Sequence, residues 1–374
     1  MILSGIWWMC GTSRLCEFPN SDETYIHRSL TRSWEAGWDK MKMKIKLLTR
    51  SCDLNKILMS KLNQMGLTTD ENIVIVDDKQ SLLPQVADAE IIVNGFGNID
   101  KTIIDGCPNL QLIQQTGIGI DNVDVSYCTS KSILVANVPL ANAVSVAEHT
   151  LFLILYLAKN MKHSADTNNN HNILERRVIS TLGSEVQGKT LVIIGLGATG
   201  LEVAKRAKSF GMYVIAVTKS PFLKKPGGVD KAYYVDSLGG SEILSESISR
   251  ADYISLHTPL TDQTKNMIGA KEFAMMKKSA FIVNVARAAI VDREALFTAL
   301  SSNKISGAAF DVFWEEPPDP NDKLLKLRNF ILTPHIAGWT IESVDTMARI
   351  IATNLERFAQ AQIPLTIVNP ELTY

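Results

Sequence analysis

Three short stretches late in the chain each follow an apolar run. They are Asn284-Val285-Ala286-Arg287, Asp311-Val312-Phe313-Trp314-Glu315-Glu316-Pro317 and Thr333-Pro334-His335-Ile336-Ala337-Gly338. A guanidinium clamps a planar carboxylate and polarises a neighbouring carbonyl, contacts to a charged group being worth about 1.5–3 kcal/mol each. An imidazole passes a proton to or from a developing alkoxide, a role worth about 10²–10⁴ in rate. A carboxylate beside it raises its pKa and selects its tautomer. These residue types suit hydride exchange between a nicotinamide and a 2-oxo acid, if a dinucleotide lies beside them.

A dinucleotide loop is present upstream. Leu191-Val192-Ile193-Ile194-Gly195-Leu196-Gly197-Ala198-Thr199-Gly200 runs from a buried-strand pattern into an amphipathic helix. Gly195 would permit the tight turn, Gly197 the approach of a pyrophosphate, and Gly200 close helix packing, with the helix N-terminus facing the phosphates. An NAD site places an acid about 20 positions on, against the ribose hydroxyls. Here the next strand ends Thr218-Lys219-Ser220 with no carboxylate at its tip. Lys219 suits a 2′-phosphate, helped by a hydroxyl of Thr218 or Ser220, which tilts the expectation to NADP. NAD with a weakened ribose contact, and Lys219 as a solvated loop lysine, stays open. Gly117-Ile118-Gly119-Ile120-Asp121 lacks the third glycine and is not expected to hold a second dinucleotide, and Asp121 and Asp124 read as structural hydrogen-bonding acids.

Positioning such loops requires strands that end where they begin. From Lys44, β-branched apolar runs at 45–49, 73–76, 91–93, 110–114 and 133–138 alternate with helical stretches. A second series, from Lys189, has runs at 191–194, 213–217, 253–256, 280–283, 307–310 and 330–332, with helices at 201–210 and 293–301 among those between. Alternation of this kind predicts βαβ units and parallel sheets, hence an α/β protein with two doubly wound domains. All three reactive stretches would then lie at the carboxyl ends of strands, where open α/β sheets place ligands. Between the series, residues 143–161 form a helix apolar nearly all round, expected to be buried between domains or subunits. A polar linker follows at 163–172.

The 374 residues carry 38 Lys+Arg against 39 Asp+Glu, a net charge of -1, so no basic excess points to nucleic acid or an anionic membrane. The longest uninterrupted apolar run, at 151–158, is far shorter than the roughly 20 residues that span a bilayer. Cys10, Cys16, Cys52, Cys107 and Cys128 show neither a disulfide framework nor zinc-ligand spacing, which suggests reduced thiols in a cytoplasmic setting and no metal. Residues 1–42 hold four of the six tryptophans without a regular period, and read as an irregular extension ahead of a start at Met41 or Met43.

Taken together, these motifs resemble the D-isomer-specific 2-hydroxyacid dehydrogenase family over nearly all of residues 44–369. Beyond the glycine loop, the resemblance rests on Gly117-Ile118-Gly119-Ile120-Asp121-Asn122-Val123-Asp124, Asn142-Ala143-Val144-Ser145-Val146-Ala147-Glu148, and His257-Thr258-Pro259-Leu260 with Thr264. It also includes the stretch from Asn284 to Asp292, Gly307-Ala308-Ala309-Phe310-Asp311, Glu316-Pro317 and the stretch from Thr333 to Gly338. The resemblance implies two Rossmann-like domains with an active-site cleft between them. The smaller would be a discontinuous substrate domain of residues 43–140 and 338–374, and residues 141–337 would bind NAD(P).

Residue by residue, it implies that Arg287 binds and polarises substrate, that His335 is the acid/base, and that Glu316 rather than Glu315 is its partner, because the family's acid precedes proline. It places Thr258 and Pro259 by the adenosine, Val285 and Ala286 behind the nicotinamide, and Asp311 on its carboxamide. Thr264 and Gly338 belong to the same cofactor motifs. Backbone amides of Asn94-Gly95-Phe96-Gly97 are implied for the substrate carboxylate, and the helix at 143–161 for a homodimer interface. Ala288 replaces the glycine usual after the arginine and would crowd the loop without excluding activity, and Trp339, bulky near the cleft mouth, would shape the pocket or merely pack.

The leading expectation is reduction of glyoxylate, hydroxypyruvate or a related small acid. A phosphoglycerate dehydrogenase and a dinucleotide-sensing corepressor-like interaction protein are the alternatives, and a formate dehydrogenase fits less well because that branch resembles a glutamine at the Glu316 position. His257 is expected to order the loop under the adenosine, and His27, His149, His163 and His171 to carry no chemistry.

Overall fold

The computed structural model describes residues 43–67, 73–76, 80–161, 182–219 and 227–373. The expected extension at 1–42, the linker at 163–172 and Ser220 lie outside the described residues.

Twelve short strands form two wholly parallel sheets. The first contains β1 (Ile45–Leu48), β2 (Ile73–Ile75), β3 (Ile91–Asn94), β4 (Leu112–Gln115) and β5 (Leu134–Ala136) in the order β2-β1-β3-β4-β5. The second contains β6 (Thr190–Ile194), β7 (Tyr213–Thr218), β8 (Lys231–Tyr234), β9 (Tyr253–Leu256), β10 (Phe281–Asn284), β11 (Gly307–Phe310) and β12 (Phe330–Leu332) in the order β12-β11-β10-β9-β6-β7-β8. Eleven strands match the apolar runs to within a few residues. The twelfth, β8, has the half-exposed sequence Lys-Ala-Tyr-Tyr on the sheet's edge, where one neighbour suffices and no strong apolar signal is needed.

Away from the edge strands β2 and β8, both sheets are buried on two faces. In β6, Leu191 and Ile193 enter one core with the Ala143–Ala158 helix, while Val192 and Ile194 enter the other. This alternation follows from the two-residue period of a strand. In the smaller sheet, Ile45 and Leu47 pack with the Cys52–Gln64 helix and with the Ile341–Ala359 helix, which returns from the far end of the chain. Thr340 caps that returning helix by accepting from the Ser343 amide.

Each sheet has one place where the connections reverse direction. From β6 the chain moves outward to β7 and β8, then crosses back to β9 on the other side of β6. The smaller sheet does the same between β1 and β3. A crevice opens beyond the strand ends at such points, and ligands bind there.

Candidate active site

The glycine loop leaves β6 at the larger reversal point. Gly195 has φ +94, and a Cβ there would come 2.5 Å from the His257 carbonyl oxygen on the loop after β9. A Cβ on Gly200 would lie 2.3 Å from the Gly195 oxygen. Both positions therefore exclude larger residues for backbone reasons. Gly197 differs, because a Cβ there would meet nothing within 4 Å. Open space before the Ala198–Ser209 helix, with Gly197 as its N-cap, suits a diphosphate approaching the amides of Ala198 and Thr199.

Other expected cofactor residues divide by exposure. Thr218 is the last residue of β7 and only 2% exposed. Lys219 is exposed and donates to Gln263 Oε1 at 2.9 Å. Thr264 is buried and spends its hydroxyl on its own loop, donating to the Pro259 carbonyl at 2.7 Å and accepting from the Thr261 amide at 2.8 Å. It therefore shapes the loop carrying Thr258 and Pro259. Val285 and Ala286 stand half-buried after β10. A Cβ on Gly338 would come 2.6 Å from Asn142 Nδ2, a close packing point where the chain passes toward the returning helix.

Arg287, Asp311 with Glu316, and His335 follow β10, β11 and β12, which are adjacent in the sheet. His335 Nδ1 lies 2.7 Å from Glu316 Oε2, and Glu316 Oε1 accepts from the Phe313 amide at 2.9 Å. The hydrogen bond to Glu316 raises the His335 pKa above its ordinary value, against the effect of burial. Burial pushes Glu316 upward, but the bonds from His335 and the Phe313 amide, with the charges of His335 and Arg287, hold it below its ordinary value. Because Nδ1 faces Glu316, Nε2 is the nitrogen left to meet a substrate oxygen.

His335 itself has φ +55, a left-handed conformation rare outside glycine. Its loop is held there by Asp311. This carboxylate is 1% exposed; Oδ1 accepts from Thr333 Oγ1 at 2.5 Å and the Ile336 amide at 3.0 Å, and Oδ2 from the Ala337 amide at 2.8 Å. His149, for which no chemistry was expected, reaches this network: its Nε2 is 3.0 Å from Thr333 Oγ1. Burial lowers the His149 pKa, against the charge of Asp311.

Arg287 is positioned from below by Asn284, a fully buried side chain that accepts from the Ala286 amide at 3.0 Å and donates to the Arg287 carbonyl at 2.9 Å. Across the cleft, Arg287 Nε donates to Asp121 Oδ2 at 2.7 Å, and Nη1 returns to the Ala286 carbonyl at 2.9 Å. Asp124 instead caps the short Val125–Ser130 helix, the structural role expected of it. His257 is also structural, with Nε2 2.7 Å from Ser255 Oγ and a pKa that burial pushes down to about 3.

The substrate loop narrows one expectation. The Gly95 amide donates to the Leu48 carbonyl at 2.7 Å, and the Gly97 amide to Asn94 Oδ1 at 2.8 Å, with Asn94 Nδ2 returning to the Gly97 carbonyl. The Gly95 amide is thus tied to the end of β1 and the Gly97 amide closes the loop on itself, which leaves the Phe96 amide, without a partner among the described residues, for an anion. Of the two departures, Ala288 fits a buried 3₁₀ turn, and Trp339 stands 42% exposed. No group of three or more His, Cys, Asp and Glu side chains suited to a metal exists among the described residues, and no described helix is long and apolar enough to cross a membrane.

Comparison with known proteins agrees with this architecture. Residues 151–337 match the family model of the D-isomer specific 2-hydroxyacid dehydrogenase, NAD binding domain. The chain is 35% identical over 340 residues to the glyoxylate reductase of Thermococcus litoralis, covering 89% of this chain and 98% of that one. It is 38% identical over 294 residues to the D-3-phosphoglycerate dehydrogenase of Methanocaldococcus jannaschii, covering 78% of this chain but only 54% of that protein. The D-lactate dehydrogenase of Aquifex aeolicus, solved with NAD and lactic acid, superposes with a TM-score of 0.74 at 27% identity, over 87% of this chain and 99% of that one. The chain belongs to the D-isomer-specific 2-hydroxyacid dehydrogenase family.

Proposed function

We propose that this protein reduces a small 2-oxo acid of the glyoxylate or hydroxypyruvate type to its D-2-hydroxy acid with NAD(P)H. The observation that carries the reading is the 2.7 Å His335–Glu316 pair standing beside Arg287 at the ends of three adjacent strands. The bound dinucleotide supplies the hydride. Arg287 holds the substrate carboxylate and draws electron density from the carbonyl, and His335 Nε2 gives its proton to the oxygen as negative charge develops there. Glu316 keeps the imidazole protonated and oriented. Gly195, Gly197 and Gly200, with the amides of Ala198 and Thr199, cradle the diphosphate.

The exposed Lys219 at the end of β7, without a carboxylate there, supports NADPH as the preferred donor. The packing of the returning helix on the smaller sheet supports a discontinuous substrate domain of residues 43–140 and 338–374, with residues 141–337 holding the dinucleotide. Val144 and Phe152, apolar side chains 48% and 51% exposed on the Ala143–Ala158 helix, support a homodimer through residues 143–161. The likeness to the M. jannaschii protein favours a second reading, a phosphoglycerate dehydrogenase.

The test follows nicotinamide absorbance with NADPH and NADH, each paired with glyoxylate, hydroxypyruvate, pyruvate, a branched-chain 2-oxo acid and 3-phosphohydroxypyruvate. Turnover of glyoxylate or hydroxypyruvate that is lost in His335→Ala supports the reading. Turnover of the phosphorylated acid alone supports the second. Full turnover in His335→Ala overturns the mechanism.

A further inference from the structure

The Arg287 guanidinium is gripped by a part of the chain for which sequence reasoning expected only a structural role. Its Nε donates to Asp121 Oδ2 at 2.7 Å, a contact between residues 166 positions apart that joins the loop after β4 of the smaller sheet to the loop after β10 of the larger one. Both side chains are about one-third exposed, 36% for Arg287 and 37% for Asp121, so the pair stands in the cleft rather than in either core. Beneath the guanidinium lies Gly119, where a Cβ would come 2.0 Å from Arg287 Nη2. Any side chain at 119 would push Arg287 out of its place.

The Asp121 loop is itself held at both ends. The Val138 amide donates to the Gly117 carbonyl at 2.9 Å, and Asn137 Nδ2 to the Ile118 carbonyl at 3.0 Å. On the other side, Asn122 Nδ2 donates to the Gly97 carbonyl at 2.7 Å and Asn122 Oδ1 accepts from Gln115 Nε2 at 2.6 Å, tying Asp121 to the substrate loop. A carboxylate held so firmly can orient a flexible arginine.

We infer that Asp121 is the positioning residue for Arg287, with Gly119 the clearance that leaves room for the guanidinium. This rests on the proposed role of Arg287 toward a 2-oxo acid. A guanidinium carries five N–H donors. Asp121 takes the one on Nε and Ala286 one on Nη1, which leaves three for the carboxylate and carbonyl oxygens of a substrate. The Glu316 carboxylate bonds His335 and the Phe313 amide, and Arg287 acts on it only through its charge. The two partners belong to loops of different sheets, so the contact spans the cleft.

The test compares Asp121→Asn, Asp121→Ala and Gly119→Ala with Arg287→Lys and the unmodified protein, using glyoxylate with NADPH and NADH. Asp121→Ala should lower kcat/KM by about ten-fold or more, the loss of one charge-assisted bond, mainly through KM. Dinucleotide affinity, followed by fluorescence titration, should stay within twofold. Asp121→Asn, nearly isosteric and still an acceptor, should retain part of the lost activity, and it carries the test if the alanine variant fails to fold. Gly119→Ala should show the same KM-dominated loss, and combining it with Asp121→Asn should cost less than the product of the two, since both act through one guanidinium. Unchanged kcat/KM in Asp121→Ala and Asp121→Asn, beside a strong loss in Arg287→Lys, would overturn the inference and leave the functional reading standing, as would losses that multiply. Full activity in Arg287→Lys would strike the functional reading instead.

Discussion

Replacing Asp311 by asparagine keeps the side chain's shape but turns one of its two acceptor oxygens into a donor. The carboxylate now receives Thr333 Oγ1, the Ile336 amide and the Ala337 amide. In either orientation of the new amide group, at least one of these donors would face another donor. The lost bond is to a charged, 1% exposed acceptor, so about 1.5–3 kcal/mol is at stake. His335 lies inside the bracket these bonds form, at φ +55, a conformation that costs an ordinary residue roughly 1–2 kcal/mol and that the loop would relax on release. If the whole loss reaches the transition state, kcat/KM falls by about 10- to 150-fold at 1.36 kcal/mol per decade. The assay is steady-state reduction of glyoxylate, with dinucleotide affinity titrated separately. A kcat/KM within twofold of the unmodified protein would refute the bracket argument. A loss confined to dinucleotide affinity would refute it too, and would support the carboxamide contact that the family resemblance implies for Asp311.

In the proposed mechanism reduction needs a protonated His335, which exists below its folded-state pKa, and that pKa is raised above 6.5 by the Glu316 bond. Reductive kcat/KM should therefore hold at low pH and fall as pH rises through a midpoint above 6.5, with oxidation of the hydroxy acid rising over the same window. Glu316→Gln should move both midpoints down, and an unmoved profile counts against the pair. Gly195→Ala forces a Cβ to 2.5 Å from the His257 carbonyl at φ +94, so thermal melting should drop by several degrees, following a cost of at least about 1–2 kcal/mol, and dinucleotide binding should weaken. Ile351→Ala, in the returning helix and fully buried against the smaller sheet, should cost about 2–5 kcal/mol in denaturant unfolding. Lys219→Glu should shift the NADPH-to-NADH ratio of kcat/KM toward NADH, and an unchanged ratio would remove Lys219 from cofactor choice.

Much of the molecule is written locally. Eleven strands were legible because parallel strands are short apolar runs bounded by turns, a pattern contained here in runs of three to six residues. The glycine loop was legible because its function is a backbone conformation that only glycine adopts freely, as φ +94 at Gly195 bears out. The expectation that Arg287, Glu316 and His335 stand at strand ends needed only the sheet's direction and the strand-loop spacing.

What the tertiary structure alone decided is which atoms meet. No pattern in the chain marks Asp121 as the partner of Arg287 across 166 residues, or Asn94 as the group that consumes the Gly97 amide, or Thr264 as a brace for its own loop. His149 lies in an apolar helix in sequence, yet folding brings it to 3.0 Å from Thr333. A strand or a helix follows from the backbone's own geometry and a periodic side-chain code. A hydrogen bond between distant side chains depends on sub-ångström placement by two sheets that the intervening chain only connects, so sequence spacing carries no record of it.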